Sequence, residues 1–143
     1  MKTGSICFTL TALLLSLNVY AGKTQPHPVT IDYTRGGGSA SGDMISARNS
    51  DNKHEMIGCG VRAIDDGAGG VYYWGFCQAS LEENKTVTCS IDDNPALMEG
   101  IKVLSDSSFI TFGWKDDGTG NLTCTNIGAS TQSFYLEKGQ PNW

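Results

Sequence analysis

The stretch IGCGVRAIDDGAGGVYYWGFCQAS, residues 57–80, decides the fold of this chain. Two runs rich in β-branched and aromatic residues flank a segment of aspartate, alanine and glycine, which is strong turn chemistry. The stretch therefore predicts a β-hairpin with strands over 57–64 and 71–80 and a turn over 65–70. The second strand also holds the densest group of aromatic residues in the chain, so it is a candidate functional surface.

Further strand and helix patterns lie on both sides of this hairpin. Residues 85–92 predict a third strand, which follows a short polar turn. Residues 93–104 break the strand period: Asp93 or Asn94 can cap a helix, Pro95 suits its first turn, and apolar residues recur at helical spacing. The other predicted strands are 29–34, 107–115, 122–129 and 133–138.

The glycine-rich segment RGGGSASGD, residues 35–43, is expected to be a loop. It holds three successive glycines, and glycine loses more conformational freedom than any other residue when it is fixed in a regular element. Taken together, the segments predict a mainly β fold. We expect an antiparallel sheet or small sandwich of five to seven strands, with one short helix and two disulfides.

The first residues carry the pattern of a secretory signal peptide. Lys2 precedes the apolar run ICFTLTALLLSL at 6–17, and small residues precede a cleavage point after Ala21. The apolar run is shorter than the roughly 20 residues of a membrane-spanning helix. The expected division of the chain is a signal peptide at 1–21, a flexible leader with a possible first strand at 22–35, and a single disulfide-bonded β domain at 36–143.

The chain is acidic, with 10 Lys and Arg residues against 15 Asp and Glu residues and a formal net charge of −5. Binding to nucleic acid requires a basic footprint, so we expect no nucleic-acid partner. We also expect no membrane insertion after signal cleavage, and a secreted or periplasmic location. An acidic exported domain instead favours basic partners.

Four cysteines remain once Cys7 is removed with the signal peptide. An even count in an exported chain predicts two disulfides. The cysteines that form them are Cys59, Cys77, Cys89 and Cys124. Their spacing lacks a C-x2-C element, so a structural zinc site is not expected.

The turns also set a strand register, and the register limits the disulfide pairing. If each turn is centred on its polar segment, Cys59 faces Cys77 and Cys77 faces Cys89. Directly opposed residues are close enough to bridge, and Cys77 can bridge with one of its two neighbours. We favour Cys59–Cys77 with Cys89–Cys124. The alternatives are Cys77–Cys89 with Cys59–Cys124, and the remaining pairing of the four.

The same register divides the hairpin into two faces. On the face opposite the cysteines, Phe76 lies over Gly60 and shields it, and Trp74 lies beside Arg62 with Asp92 across from it. The cysteine face is the expected core face. Its residues are Ile57, Val61, Ala63, Val71, Tyr73, Val87 and Ile91.

Two interpretations of the other face, here called the aromatic face (Arg62, Tyr72, Trp74 and Phe76), remain open. In the first, the helix or the strand at 107–115 covers it, as in a sheet that is buried on both sides. In the second, it is an exposed ligand-binding platform. Aromatic planes bind sugars and protein side chains, and amphipathic aromatic residues are common anchors at interfaces.

Catalytic and metal-binding patterns are weak in this sequence. Outside the signal peptide the histidines are His27, in the leader, and His54, in a polar stretch, and no G-x-S-x-G element surrounds a serine. The segments DDGAGG and DDGTGN are interpreted as hairpin turns rather than calcium loops, because they lack the spacing of an EF-hand loop. We therefore expect no catalytic residue, no metal and no cofactor.

A resemblance to other proteins rests on five short segments: SARNS at 46–50, IGC at 57–59, CSIDDNP at 89–95, DSSFITFGW at 106–114 and NLTC at 121–124. Together they resemble a family of small exported bacterial cysteine-containing proteins of uncharacterised function. The resemblance covers roughly residues 40–138. It implies bacterial export and a single domain, and it implies no catalytic or binding residue.

The preferred function is non-catalytic binding of a protein or glycan ligand at or outside the bacterial cell envelope, through the aromatic face. One alternative is a proteinaceous inhibitor or immunity factor against a secreted hydrolase, with residues 35–43 or 116–121 as its contact loop. A second alternative is a small secreted hydrolase with a site near His54.

Overall fold

The computed structural model describes residues 22–91 and 94–136. Strands make up 49% of these residues and helices 12%, which confirms a mainly β fold. The expected signal peptide at 1–21 lies outside the described residues. The elements in chain order are β1 Thr30–Thr34, β2 Gly37–Asp43, α1 Met44–Arg48, β3 Met56–Asp65, β4 Val71–Ser80, β5 Thr86–Ile91, α2 Pro95–Lys102, β6 Phe109–Asp116 and β7 Leu122–Ser130.

All seven strands belong to one sheet, in the order β1-β2-β6-β7-β5-β4-β3. Neighbouring strands are antiparallel except β5 and β7, which run parallel with Ser90 opposite Thr123. The sheet is therefore mixed at one junction rather than antiparallel throughout. The chain leaves β5 through α2 and returns through β6 before it reaches β7, and a crossover of this kind permits a parallel pair.

The register of β3, β4 and β5 is the one that the turns predicted. Cys59 lies opposite Cys77, and Cys77 lies opposite Cys89. The disulfides are Cys59–Cys77 and Cys89–Cys124, which confirms the favoured pairing. The first bond links two neighbouring antiparallel strands, and the second joins β5 to β7 beside their parallel pair.

The glycine-rich segment 35–43 forms strand β2 from Gly37 onward, between β1 and β6. The prediction of a loop is correct for the turn at 35–36 and wrong from Gly37 onward, because the glycines there permit close packing. A Cβ atom at Gly38 would lie 2.4 Å from the Trp114 ring and 2.4 Å from the Asp32 carbonyl oxygen. Only glycine fits at such a position inside a sheet.

Both helices begin at a residue whose side chain caps the first turn. The Asn94 side chain accepts a hydrogen bond from the Leu97 N–H, and Pro95 occupies the first turn of α2, as predicted. Helix α1 was not predicted, because five residues are too few to show a helical period. Its sequence signal is Asp43, whose carboxylate accepts from the Ser46 N–H at 2.6 Å.

The hydrophobic core lies on the cysteine face of the sheet, with α1 and α2 packed against it. Ala47 of α1 and Ile101 of α2 belong to this core, and its largest fully buried apolar side chains are Phe112 and Ile110. The sheet is curled, since β2 and α1 near one edge also contact β3 at the other. One face of the sheet is thus enclosed, and the other faces outward.

The seven residues expected on the core face divide by their position along the hairpin. The buried or half-buried ones are Ile57, Val61, Val87 and Ile91. The exposed ones, for which the prediction of burial is wrong, are Ala63, Val71 and Tyr73. The pairing of β4 with the described part of β5 extends from Ser80 to Gly75. The three exposed residues lie on the turn side of Gly75, where β5 no longer adjoins the hairpin. Alternation assigns a side chain to a face, but burial also requires that another element covers that face.

Residues 22–28, expected to belong to a flexible leader, contain no helix or strand but are hydrogen-bonded to the domain. The Gln25 N–H donates to the Phe134 carbonyl, and the His27 N–H donates to the Asp43 carboxylate at 2.6 Å. The N-terminal segment is therefore held against the start of α1.

The described part of the strand predicted at 133–138 is a turn at 133–136, so that prediction is wrong there; residues 137 and 138 lie outside the described range. Tyr135 is buried in this turn, and its ring stacks on Phe109 at 5.4 Å. Among the helices that the structure describes, none has the length and apolar character needed to cross a membrane.

Candidate binding site

The far half of the β3–β4 hairpin (residues 61–74, here called the hairpin tip) differs from its base. At the base, β4 lies between β3 and β5, and the Cys59–Cys77 disulfide links the two hairpin strands. The described pairing of β4 with β5 stops at Gly75, opposite Ile91. In the tip, β3 and β4 pair with each other, and no other described strand adjoins them.

The predicted aromatic face is assembled at this hairpin. Phe76 lies over Gly60, where a Cβ atom would be 2.9 Å from the phenyl ring. Trp74 stacks on Phe76, with ring centroids 4.9 Å apart and an interplanar angle of 26°. The Arg62 guanidinium lies 5.5 Å from the Phe76 ring centroid, a cation–π distance. Asp92, expected across from Trp74, lies outside the described residues.

The aromatic face is open to solvent in the described structure. Trp74 is 36% exposed and Tyr72 is 53% exposed, whereas Phe76 is half-buried. The competing prediction was that the helix or β6 covers this face. Instead α2 packs on the core face, where Met98 approaches Gly75, and two strands separate β6 from β4. The aromatic face is therefore available to a ligand.

The opposite face of the hairpin tip is also exposed, which the sequence reasoning missed. Val71 is 58% exposed and Tyr73 is 66% exposed. A groove of about 790 Å³ runs between the tip and α2. Tyr73 and Met98 line it together with Tyr72 and Trp74, so the neighbouring residues of β4 also border the groove. No pattern in the sequence signals this surface, because Val71 and Tyr73 alternate as core residues do.

The turn at the end of the hairpin is ordered by its own hydrogen bonds. The Asp65 carboxylate accepts from the Gly67 N–H at 2.7 Å, and the Asp66 carboxylate accepts from the N–H groups of Ala68 and Gly70 at 2.7 and 2.9 Å. Gly67 has a φ of 76°, in the left-handed region that favours glycine. The Ala68 and Gly70 bonds hold the pKa of Asp66 below its ordinary value of 3.8, so this carboxylate is ionised at neutral pH.

A second acidic turn, residues 116–121, has the same local hydrogen bonding at the other end of the sheet. The Asp116 carboxylate accepts from the Gly118 N–H, and the hydroxyl and backbone N–H of Thr119 lower the pKa of Asp117. Because β5 and β7 are parallel, this turn lies near the start of β5, whereas the hairpin tip lies beyond its end. Within 22–91 and 94–136, no group of three or more His, Cys, Asp or Glu residues can hold a metal ion.

A second cavity, of about 390 Å³, lies between the N-terminal segment and α1. The Ser46 hydroxyl donates to the Asp43 carboxylate at 2.6 Å, and the Ser50 hydroxyl donates to Glu55 at 2.5 Å. The His27 ring is hydrogen-bonded to a glutamine side chain. Asp43 also accepts the His27 N–H of the N-terminal segment, and Glu55 accepts the N–H of Val29, the residue that follows it. These hydrogen bonds hold the segment in place.

No family model, curated protein or solved structure matches this chain. It is therefore classified by its own architecture. The class that the structure defines is a mainly β, disulfide-bonded domain with an aromatic hairpin tip outside the core. Two disulfides fit an oxidising, extracellular environment.

Proposed function

We propose that this protein is a secreted or periplasmic, non-catalytic binding protein that acts at or outside the bacterial cell envelope. The observation that carries the proposal is the hairpin tip, where Tyr72 and Trp74 adjoin on one face and Val71 and Tyr73 adjoin on the other, all at least 36% exposed. Contiguous exposed apolar groups mark interaction sites in soluble proteins, and tyrosine, tryptophan and arginine are the commonest energetic anchors there.

The ligand in this proposal is a protein or a glycan, because both use aromatic planes with nearby polar groups. Arg62 adds a cation beside Phe76, and its planar guanidinium suits carboxylate and carbonyl acceptors. Next to the aromatic face, Gln78 and Thr88 are hydrogen-bonded to each other at 3.0 Å and continue the surface with uncharged polar groups.

The location in the proposal is supported by two observations. The first residues have the charge and apolar pattern of a signal peptide. The disulfides Cys59–Cys77 and Cys89–Cys124 fit an oxidising compartment.

A second candidate function is inhibition of, or immunity to, a secreted hydrolase. It is favoured by the disulfide at the base of the hairpin, since a rigid projecting turn can enter a cleft. The contact loop expected at 35–43 is not available, because β2 lies inside the sheet. The inhibitor would therefore use the turn at 65–70 or the turn at 116–121.

The remaining alternative is a small hydrolase with a site near His54. Hydrolase activity that is retained in a His54→Ala variant would exclude His54 as the catalytic residue.

Cosedimentation of the exported protein with isolated cell envelopes tests the proposed function. We expect Tyr72→Ala and Trp74→Ala each to weaken binding by about tenfold or more, as anchors at an interface do. The matched control is Tyr33→Ala, which removes a tyrosine that is 67% exposed and lies in β1 at the opposite end of the sheet. Undiminished binding by both hairpin variants would rule the proposal out. A large fall in melting temperature for Trp74→Ala would assign that residue to folding instead.

A further inference from the structure

We infer that the ligand is a basic protein whose cleft receives the hairpin tip and contacts both of its faces. The inference rests on the proposed function, because it names the class of ligand for the same hairpin. Three features support it: apolar side chains are exposed on both faces of the tip, the terminal turn is negatively charged, and a disulfide joins the two strands at the base.

Both faces of the tip present large apolar groups. Successive side chains of a strand point to opposite faces, so Tyr72 and Trp74 lie on the outer face while Val71 and Tyr73 lie on the inner one. All four are at least 36% exposed. A glycan chain on an aromatic platform contacts one face and leaves the other in water. A protein cleft buries both faces, and burial of apolar area is the main favourable term in association.

The end of the tip is negatively charged. The whole hairpin, residues 56–80, contains two carboxylates, Asp65 and Asp66, and one cation, Arg62. The carboxylates lie in the terminal turn, and the net charge of the chain is −5. A cleft with positive charge at its base complements this turn and speeds association by electrostatic steering. An anionic polymer or anionic membrane surface is repelled by the same charges.

The tip is held in shape before it binds. The Cys59–Cys77 disulfide lies at its base, and the terminal turn is closed by hydrogen bonds from the carboxylates of Asp65 and Asp66. Binding by a preorganised element loses little conformational entropy. The hairpin can therefore enter a cleft without first being ordered by its partner.

Photo-crosslinking from both faces tests the contact geometry. The photoreactive residue p-benzoylphenylalanine is placed in the full chain at Tyr72, on the outer face, or at Tyr73, on the inner face, and the variants are produced in the native cells. The control position is Thr119, in the acidic turn at the other end of the sheet. We expect both hairpin positions to capture the same protein, with an isoelectric point well above neutrality, and Thr119 to capture none of it.

The two acidic turns supply a matched test of the charge argument. Asp65→Asn with Asp66→Asn removes both charges but keeps the side-chain oxygens that accept the turn hydrogen bonds. We expect the cross-linked yield from Tyr72 to fall about tenfold and to become insensitive to salt. Asp116→Asn with Asp117→Asn removes the same charge from the other turn and is expected to leave the yield unchanged.

The outcomes separate this inference from the proposed function. Four outcomes would each overturn the basic-protein inference: cross-links from one face only, capture of an acidic protein, adducts that periodate removes and protease does not, and no adduct at all. The inference also fails if the charge variants of the two turns behave alike. In all of these cases the proposed function survives if Tyr72→Ala still weakens envelope binding, and it fails if Tyr72→Ala and Trp74→Ala have no effect.

Discussion

Removal of the Cys89–Cys124 disulfide is expected to destabilise the protein more than removal of Cys59–Cys77. The perturbations are the paired replacements Cys89→Ala with Cys124→Ala, and Cys59→Ala with Cys77→Ala. The two bonds join residues 35 and 18 positions apart in sequence. The loop-closure entropy of the unfolded chain then gives about 3.8 and about 3.2 kcal/mol of stability for the two bonds at 25 °C.

Packing and sheet connectivity act in the same direction as the entropy. Cys89 is 0% exposed and Cys124 is 4% exposed. In the other pair Cys77 is also 0% exposed but Cys59 is half-buried, so the first replacement leaves the larger void. In the described part of the chain, Ser90 opposite Thr123 is the one pairing between β5 and β7. Cys89–Cys124 is thus the covalent link between two antiparallel halves of the sheet. We expect a total difference of about 1–2 kcal/mol in the free energy of unfolding.

Urea denaturation of the oxidised wild type and both variants measures this difference. Tryptophan fluorescence, which reports on the surroundings of Trp74 and Trp114 in the two halves of the sheet, is recorded together with far-ultraviolet circular dichroism, which reports on the whole sheet. In the variant without Cys89–Cys124 we expect the fluorescence and circular-dichroism transitions to separate, since the halves are less tightly coupled. A variant without Cys59–Cys77 that is the less stable of the two would refute the reasoning.

Three further predictions concern packing and charge. Asp43→Ala should lower the free energy of unfolding by about 3 kcal/mol in chemical denaturation, because its 1% exposed carboxylate accepts two backbone N–H groups and a hydroxyl; a loss under about 1 kcal/mol would contradict this. Gly75→Ala should cost about 1–3 kcal/mol, because its Cβ would lie 2.4 Å from the Met98 sulfur, and Met98→Ala should restore part of the loss. The lowered pKa values of Asp66 and Asp117 stabilise the folded state above the ordinary value of 3.8, and this stabilisation is lost as pH falls through the lowered values. Asp66→Asn with Asp117→Asn should therefore flatten the decline in melting temperature between about pH 4 and pH 2, and an unchanged decline would count against it.

The local part of the fold could be predicted because it depends on short-range chemistry. The acidic glycine turn at 65–70 fixes which residues of β3 and β4 are opposed, and a strand period of two then fixes their faces. Asn94 and Pro95 in the same way mark the start of α2. The same strand period places Trp74 and Phe76 on one face of β4.

The prediction failed where one residue type serves two purposes. Glycines such as Gly38 suggest a loop, yet here they allow the backbone of β2 to approach the Trp114 ring. The parallel pairing of β5 with β7 depends on a crossover of many residues, which no local pattern encodes. A five-residue helix such as α1 is too short to show a period.

The sequence by itself determined the register that places Cys59 opposite Cys77, the two faces of the hairpin and the residues of the aromatic face. The tertiary structure alone decided which of those faces are covered. Because α2 packs over the base of the core face and the described part of β5 ends at Ile91, Tyr73 is exposed while Cys77, on the same face of the same strand, is buried. Side-chain direction follows from the local geometry of a strand, whereas burial depends on the position of elements that are distant in sequence.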